Sequence, residues 1–335
     1  MRSLGTKAVA DGGRAAALVA VLALVAAFVP LASMLALPLM PLPIGYVAYR
    51  HPALVSVCAT IAAAGVGAAA AGPVAGLSTV LLAGGAGMVY GAGLRRGFGF
   101  SRLFLSVAGA AAVAVAVSAT VVWFVAGMTM EQLQLLLEEA VAAGAAMSGA
   151  SGVEAESVLG GFNEWLRVLP YMLPGLFGMA GVFIAGAMIG LGGAIFRRMG
   201  LTLAHTEFAA FRLHWSLAYG LIGGLALLLF APRFGQGEFV LRVLGLNLML
   251  IFQSLFLFQG LAVVRWLTIS RRMSQGGTFL LFALMLVGQL FIQLASWVGL
   301  LDTWLDIRRR AARRNNDDAH VTPGQAPGGR DGEEG

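Results

Sequence analysis

Amide side chains interrupt two apolar segments near the carboxyl end of the sequence, 243–264 and 273–301. Five amides lie in the interior of these segments: Asn247, Gln253, Gln259, Gln289 and Gln293. An amide in hydrocarbon costs free energy unless its polar atoms are paired, so each is a candidate for a solute pocket. The same residues suit hydrogen bonding between helices, worth roughly 0.6 to 2 kcal/mol each. We favour the second interpretation, and the first stays open.

Helical spacing assigns some of these polar side chains to common faces. Gln289 and Gln293 are four residues apart and share one face, and Asn247 aligns with Ser254 on another. Two long helices joined by the short turn at 271–277 should be antiparallel and in contact. The sequence therefore predicts that these two faces meet, whereas the other two amides point elsewhere.

Charged residues of both signs follow the last apolar segment. Asp302 and Asp306 are one helical turn apart, with Arg309 and Arg310 a turn beyond. An acid four residues before a base supports a helix. We expect a clamp at the helix end rather than proton chemistry.

Aromatic residues open the apolar segment 213–232. His214, Trp215 and Tyr219 stand at its start, where aromatic side chains commonly anchor a membrane helix at the interface. Anchoring is the expected role, and contact with a solute is the alternative.

The residues 149–152 match the G-x-S-G string of intramembrane serine proteases, with His214 as an imaginable base. The serine lies in a polar loop, however, and not at a helix start buried among apolar segments. A protease is therefore disfavoured.

Other chemistry is limited by residue types that the sequence lacks. It has no G-x-x-x-x-G-K-[ST] motif, its lone lysine is Lys7, and its lone cysteine is Cys58. It has no His-Glu-x-x-His motif, and its four histidines lie far apart. We expect no cofactor, no metal site and no enzymatic activity. The arginines are spread between apolar segments, which argues against nucleic-acid binding.

Composition indicates the elements that must position these residues. Of 335 residues, 59% are hydrophobic and 11% charged, with a mean hydropathy of +0.85, whereas soluble domains are about 25% charged. The sequence predicts an all-α polytopic transmembrane bundle in the lipid bilayer, with eight long spans. These are 15–37, 53–72, 74–94, 103–130, 168–196, 213–232, 243–264 and 273–301.

A short proline-rich element, Pro38–Arg50, separates the first two spans. Its 13 residues with three prolines predict a half-length span, because helix rises about 1.5 Å per residue. If it crosses, ten internal arginines share the cytoplasmic side with the N-terminus, and the tail with Arg308 lies outside. If it does not cross, the tail is inside and those ten are outside. We prefer the crossing arrangement.

The chain divides into five regions by composition. They are a cytoplasmic N-terminus (1–14), Ala/Gly-rich membrane helices (15–127), an acidic loop with an amphipathic helix (128–167), Leu/Phe-rich membrane helices (168–307) and an Arg-rich, then disordered, tail (308–335). The apolar run after residue 14 has no clear cleavage site, so it is expected to be a retained helix and not a signal peptide.

Two strings in the last quarter carry a family resemblance. They are FQGLAVV at 258–264 and GLLDTWLDIR at 299–308, and the chain resembles the bacterial DUF2232 family of YybS-like predicted membrane proteins. The family has no established activity. Its N-terminal part is similar to the substrate-binding S components of energy-coupling-factor transporters.

That similarity implies a fold and a partner. It implies that residues 13–196 form six helices, one of them short, around a small-molecule solute. It also implies that small residues of the first helix contact a separate transmembrane coupling subunit. The matching positions are Ala16, Ala20, Ala23 and Ala27.

The sequence and the resemblance leave two functions open. The first is a motorless small-solute-binding or transport component of the bacterial cytoplasmic (inner) membrane. The alternative is an envelope scaffold that recruits partner proteins without transport. An enzyme acting on a lipid-linked substrate would want paired intramembrane carboxylates or histidines, which the spans lack.

Overall fold

The computed structural model confirms the predicted all-α polytopic bundle. It describes residues 5–127, 129, 131, 132, 135, 139, 168–201, 207–306 and 308–310. Within these residues no strand forms, and eight segments are long and apolar enough to cross a membrane. The longest of them, Trp215–Ser270, contains two helices.

Among the described residues, the N-terminal half contains seven α-helices. They are α1 (Thr6–Phe28), α2 (Pro30–Leu39), α3 (Pro41–Arg50), α4 (Ala53–Ala71), α5 (Pro73–Ser78), α6 (Gly87–Arg95) and α7 (Phe100–Ala126). A π-helical stretch, Thr79–Ala86, joins α5 to α6. The acidic loop and its amphipathic helix, predicted at 128–167, lie almost wholly outside the described residues.

The interruption between α1 and α2 corrects the predicted boundary of the short proline-rich element. Helix α1 ends before Val29, whose backbone is extended, and α2 begins at Pro30. Proline suits the first helical position because no hydrogen bond is lost there. Helices α2 and α3 follow each other closely, so Ala32–Arg50 is 19 residues long and long enough to span. The element therefore begins eight residues earlier than predicted and is not half-length.

The path of this segment agrees with the crossing arrangement. The His51 ring nitrogen Nε2 lies 2.9 Å from Oδ2 of Asp11, which is near the start of α1. The end of α3 and the beginning of α1 therefore lie at the same end of the bundle. Close packing also fixes α1 against α4, where a Cβ on Gly12 would meet Val55 at 2.9 Å.

In the described part of the C-terminal half there are five α-helices. They are α8 (Leu173–Arg198), α9 (Ala218–Phe230), α10 (Glu238–Ser270), α11 (Gln275–Ile292) and α12 (Leu294–Leu305). Short 3₁₀ turns occupy Leu169–Met172, Phe208–Ala210, Trp215–Leu217 and Ala231–Gly237. Helices α8 and α10 are parallel, since Gly175 abuts Asn247 and Gly178 abuts Ile251.

The last predicted span, 273–301, is not one helix. Gln293 has φ 55°, a left-handed backbone that ends α11 and begins α12. Helix α12 then runs parallel to α10, because Ser296 contacts Gln253 and Thr303 contacts Gln259. The chain thus turns back toward the end of α10.

This turn corrects the predicted position of the tail. Arg308 lies at the end of the bundle that holds Arg95, Arg197, Arg212 and Arg271, which we call the arginine end. Hydrogen bonds from Arg308 to the 207–213 segment establish the position. The crossing arrangement had placed the tail at the opposite end, because it treated α11 and α12 as one span.

Helices α10 and α12 approach closely through two glycines. A Cβ on Gly299 would overlap the carbonyl oxygen of Phe256, and one on Gly260 would overlap the carbonyl oxygen of Ala295. Small residues let membrane helices pack with their backbones in contact. This contact holds the polar end of α12 against α10.

Candidate functional site

A buried polar cluster lies where α12 meets α10 at the arginine end. Gln259 is 1% exposed, and its Oε1 accepts a hydrogen bond of 3.0 Å from the backbone N–H of Leu213. Its Nε2 donates to Thr303 Oγ1 at 3.0 Å and to Asp302 Oδ2 at 3.3 Å. One amide therefore joins three parts of the chain.

An ion pair completes this cluster. Arg308 Nη2 lies 2.6 Å from Asp302 Oδ2, and the two side chains are 5% and 1% exposed. Burial of two charges is tolerated only when they are paired and further hydrogen-bonded. Arg308 meets that condition by also donating to the backbone carbonyls of Ala209 and Phe211, at 2.7 and 2.8 Å.

The clamp predicted at this helix end forms in part, through Asp306 and Arg309, and it also uses two arginines that were not expected, Arg308 and Arg212. Asp302 pairs with Arg308, and Asp306 Oδ1 lies 2.5 Å from Arg212 without hydrogen-bond alignment. Arg309 Nε lies 3.6 Å from Asp306 Oδ2. Arg310 donates its backbone N–H to the Asp306 carbonyl, but its side chain forms no ion pair among the described residues. Helix α12 stops at Leu305, so regular i, i+4 spacing does not continue to the arginines.

The amides predicted to face a pocket bond to the protein itself. Asn247 Oδ1 accepts from Gly175 N–H at 2.5 Å, and Nδ2 donates to the Tyr171 carbonyl at 2.9 Å. This amide therefore caps the beginning of α8. Gln289 binds the backbone N–H and hydroxyl of Ser296 at 3.1 Å each and bridges the turn between α11 and α12.

The expected common face of Gln289 and Gln293 is wrong, because Gln293 forms the turn and is exposed. Gln253 is half-buried, and its side chain forms no hydrogen bond within the described residues. Ser254 donates to the Ile251 carbonyl of its own helix and not to a partner of Asn247. The predicted polar face between α10 and α11 therefore does not form as expected.

A polar cavity of about 560 Å³ lies between α8 and α10 at the arginine end. Gly186, Gly190 and Gly193 of α8 form one wall, and Arg197 and Arg265 contribute charge. The segment 207–209 closes another side. Sequence reasoning missed this cavity, because its residues, which include Phe100 of α7, come from four distant parts of the chain.

Arg308 links the buried cluster to this cavity. The segment 207–209 that lines the cavity includes Ala209, whose carbonyl accepts a hydrogen bond from Arg308. The Asp302–Arg308 pair thus fixes one wall of the cavity from behind. Asp302 and Arg308 therefore shape a cavity that neither of them lines.

Comparison with known proteins identifies the family. A family model described as "Predicted membrane protein (DUF2232)" matches residues 17–303. The chain belongs to the DUF2232 family. No curated protein and no solved structure matches it.

In this DUF2232 protein, the alanines predicted to contact a coupling subunit are not equally accessible. Ala20 and Ala23 are buried inside the bundle, at 7% and 6% exposure, while Ala27 is exposed and Ala16 is half-buried. The Cβ of Ala23 faces Gly67 of α4. The resemblance pairs Ala16 with Ala20 and Ala23 with Ala27, and each pair has one buried residue, so the motif does not form a free contact surface.

The aromatic residues around the start of α9 in this DUF2232 protein lie at its surface. His214 Nδ1 contacts the Ser216 hydroxyl at 2.8 Å, and Trp215 packs edge-on against Tyr219 at 5.7 Å between ring centroids. All three aromatic rings are exposed. Their anchoring role stays a prediction, and the residues 149–152 lie outside the described part of the chain.

A second cleft, of about 370 Å³, lies beside α1 and the α2–α3 segment. Its walls are mainly apolar, with Asp11 and Arg14 at one end. Asp11 is already paired with His51 and lies 3.6 Å from Arg14. Polar groups available to a solute are therefore fewer here than in the α8–α10 cavity. No group of three or more candidate metal ligands occurs within the described residues.

Proposed function

We propose that this DUF2232 protein is a motorless small-solute-binding or transport component. The observation that carries the proposal is the polar cavity between α8 and α10. Its volume of about 560 Å³ falls within the roughly 300 to 1,000 Å³ common for ligand pockets.

The walls of the cavity suit a solute that approaches the helix backbone. A Cβ on Gly190 would meet no atom within 4 Å, so this glycine leaves open space. The opposite wall is held by the buried Asp302–Arg308 pair. A site whose walls are fixed before binding loses less entropy when it takes a ligand.

A motor would come from outside this chain, because the sequence has no phosphate-binding nucleotide motif. We propose that energy for transport, if the solute is moved, comes from a separate transmembrane coupling subunit or from a gradient. The buried Ala20 and Ala23 argue that such a subunit uses a surface other than the predicted alanine motif.

We also propose that the arginine end faces the cytoplasm of a bacterial inner membrane. Arginine-rich ends of membrane proteins favour the cytoplasmic side. The return of α12 supports this orientation, because it places Arg308, Arg309 and Arg310 at the same end as the internal arginine loops. With the arginine end in the cytoplasm, the arginines of the loops and those at the start of the tail all lie on the side that arginine-rich ends favour.

The alternative, an envelope scaffold, draws on α11. Met285 is the one buried residue of this helix, whereas Leu290 and Phe291 are each 82% exposed. A partner helix in the membrane could pack on this face in place of lipid. The two functions predict different molecules in a purified sample.

Native purification followed by mass spectrometry of small molecules and of co-purifying proteins separates them. The wild-type chain should retain one reproducible small molecule, and Gly190→Leu should lose it by filling the cavity. Gly109→Leu is the matched control, since Gly109 also has open space around it and lies on α7. A ligand that Gly190→Leu retains, or partner proteins with no ligand, would overturn the proposal in favour of the scaffold.

A further inference from the structure

We propose that the solute carries a phosphate or carboxylate group, and that Arg197 and Arg265 bind it. The inference rests on the proposed function, because it assigns a chemical class to the ligand of the α8–α10 cavity. Two arginines and one glutamate, Glu207, line this cavity, so its charged residues carry a net positive charge.

These two arginines are available to a ligand. Both are exposed at the cavity, and neither forms an ion pair within the described residues. The described aspartates are committed elsewhere: Asp11 to His51, Asp302 to Arg308 and Asp306 to Arg212. Glu238 is likewise paired, with Arg242 of its own helix. Among the described residues, the two arginines of the cavity therefore have no ion-pair partner, and the charged lining keeps a net positive charge.

Guanidinium groups suit this chemistry by shape as well as by charge. Each presents parallel N–H donors that match two oxygens of a phosphate or carboxylate. Arg197 lies in the last turn of α8, and its Nη1 lies 3.5 Å from the position of a Cβ on Gly193. The guanidinium therefore lies along the glycine wall, where a small anion can reach it without meeting a side chain from that wall.

Glu207 adds a second requirement. A carboxylate lining the same cavity favours ligands that also carry a hydrogen-bond donor, such as a hydroxyl or an ammonium group. A simple anion should therefore bind more weakly than an anion with a donor group. This difference makes Glu207 a specificity residue under the proposal.

Because the cavity lies at the arginine end, the anionic group could belong to a free solute or to a lipid headgroup. Both carry the same oxygen chemistry. The two sources differ in whether the group is held in the bilayer, so the binding experiment has two arms.

The first arm titrates inorganic phosphate into the full-length chain in nanodiscs of zwitterionic lipid and measures the dissociation constant by calorimetry. Arg197→Gln and Arg265→Gln should each weaken binding by about tenfold or more, as expected for loss of hydrogen bonds to a charged group. Arg198→Gln and Arg271→Gln are matched controls, because both arginines are exposed outside the cavity lining. The controls should change the constant by less than about twofold.

The second arm uses nanodiscs containing phosphatidic acid and compares phosphate binding with that in zwitterionic lipid. If phosphatidic acid weakens phosphate binding to the wild type but not to Arg197→Gln, the anionic group belongs to a lipid headgroup. If phosphate binds equally well in both lipids, the anionic group belongs to a free solute. Either result supports an anion site. Equal phosphate affinity in the wild type, the cavity variants and the controls would overturn it.

Failure of this inference can be told apart from failure of the proposed function. If Gly190→Leu removes the co-purified small molecule while Arg197→Gln and Arg265→Gln retain it, the cavity binds a solute but not through an anionic group. If Gly190→Leu retains the molecule, the site itself is wrong.

Discussion

Asp302 and Arg308 form a buried ion pair across the end of the last helix, with Oδ2 and Nη2 2.6 Å apart. Arg308 lies beyond the left-handed residue Asp306, where the chain leaves α12. The pair therefore folds the start of the tail back over the helix end and fastens it to the 207–213 segment.

Asp302→Ala should strongly destabilise the protein. It leaves Arg308 buried without its counter-charge, a change that typically costs about 3 to 5 kcal/mol. Asp306→Ala is the control, since its side chain is 35% exposed and surface ion pairs contribute about 1 kcal/mol or less. Unfolding in graded denaturant should show the difference, and equal stability of the two variants would refute the structural role of the pair.

Gln259→Leu should cost stability by leaving the buried backbone N–H of Leu213 without its acceptor. A buried unsatisfied group costs roughly 1 to 3 kcal/mol. Gln253→Leu, in the same helix, removes an amide that has no side-chain hydrogen bond within the described chain, and it should be nearly neutral. The unfolding midpoints of the two variants give the comparison. A larger loss for Gln253→Leu would contradict the assigned bonding.

Gln293→Gly should be neutral or slightly stabilising. The left-handed backbone at Gln293 (φ 55°) costs an L-residue roughly 1 to 2 kcal/mol that glycine does not incur. Gln293→Val should destabilise, because a β-branched residue tolerates this conformation poorly. If the Gln293→Val protein has the same midpoint of thermal unfolding as the Gln293→Gly protein, α11 and α12 form one continuous helix.

Cysteine labelling tests whether the chain turns back at Gln293. After Cys58→Ala, single cysteines at Arg198 and Arg310 should react with an impermeant reagent from the same side of the membrane. A cysteine at Gln236, in the exposed turn before α10, should react from the opposite side. Opposite reactivity of Arg198 and Arg310 would restore the arrangement in which the last segment crosses.

The sequence by itself determined the fold class and the approximate membrane segments. Long uncharged apolar runs leave few other structures, because backbone polar groups in lipid must be paired within helices. It also identified Gln259 and Asp302 as polar groups needing partners, since burial makes an unpaired group costly.

The tertiary structure decided which partners those groups have. The partners of Gln259 are distant in sequence, and Arg308 became the partner of Asp302 because the helix ends at Leu305. Helical spacing cannot predict a side chain that returns after the helix has ended. The cavity likewise needed three-dimensional packing, because Gly190, Arg265 and Ala209 meet only after α8, α10 and the segment between α8 and α9 have assembled.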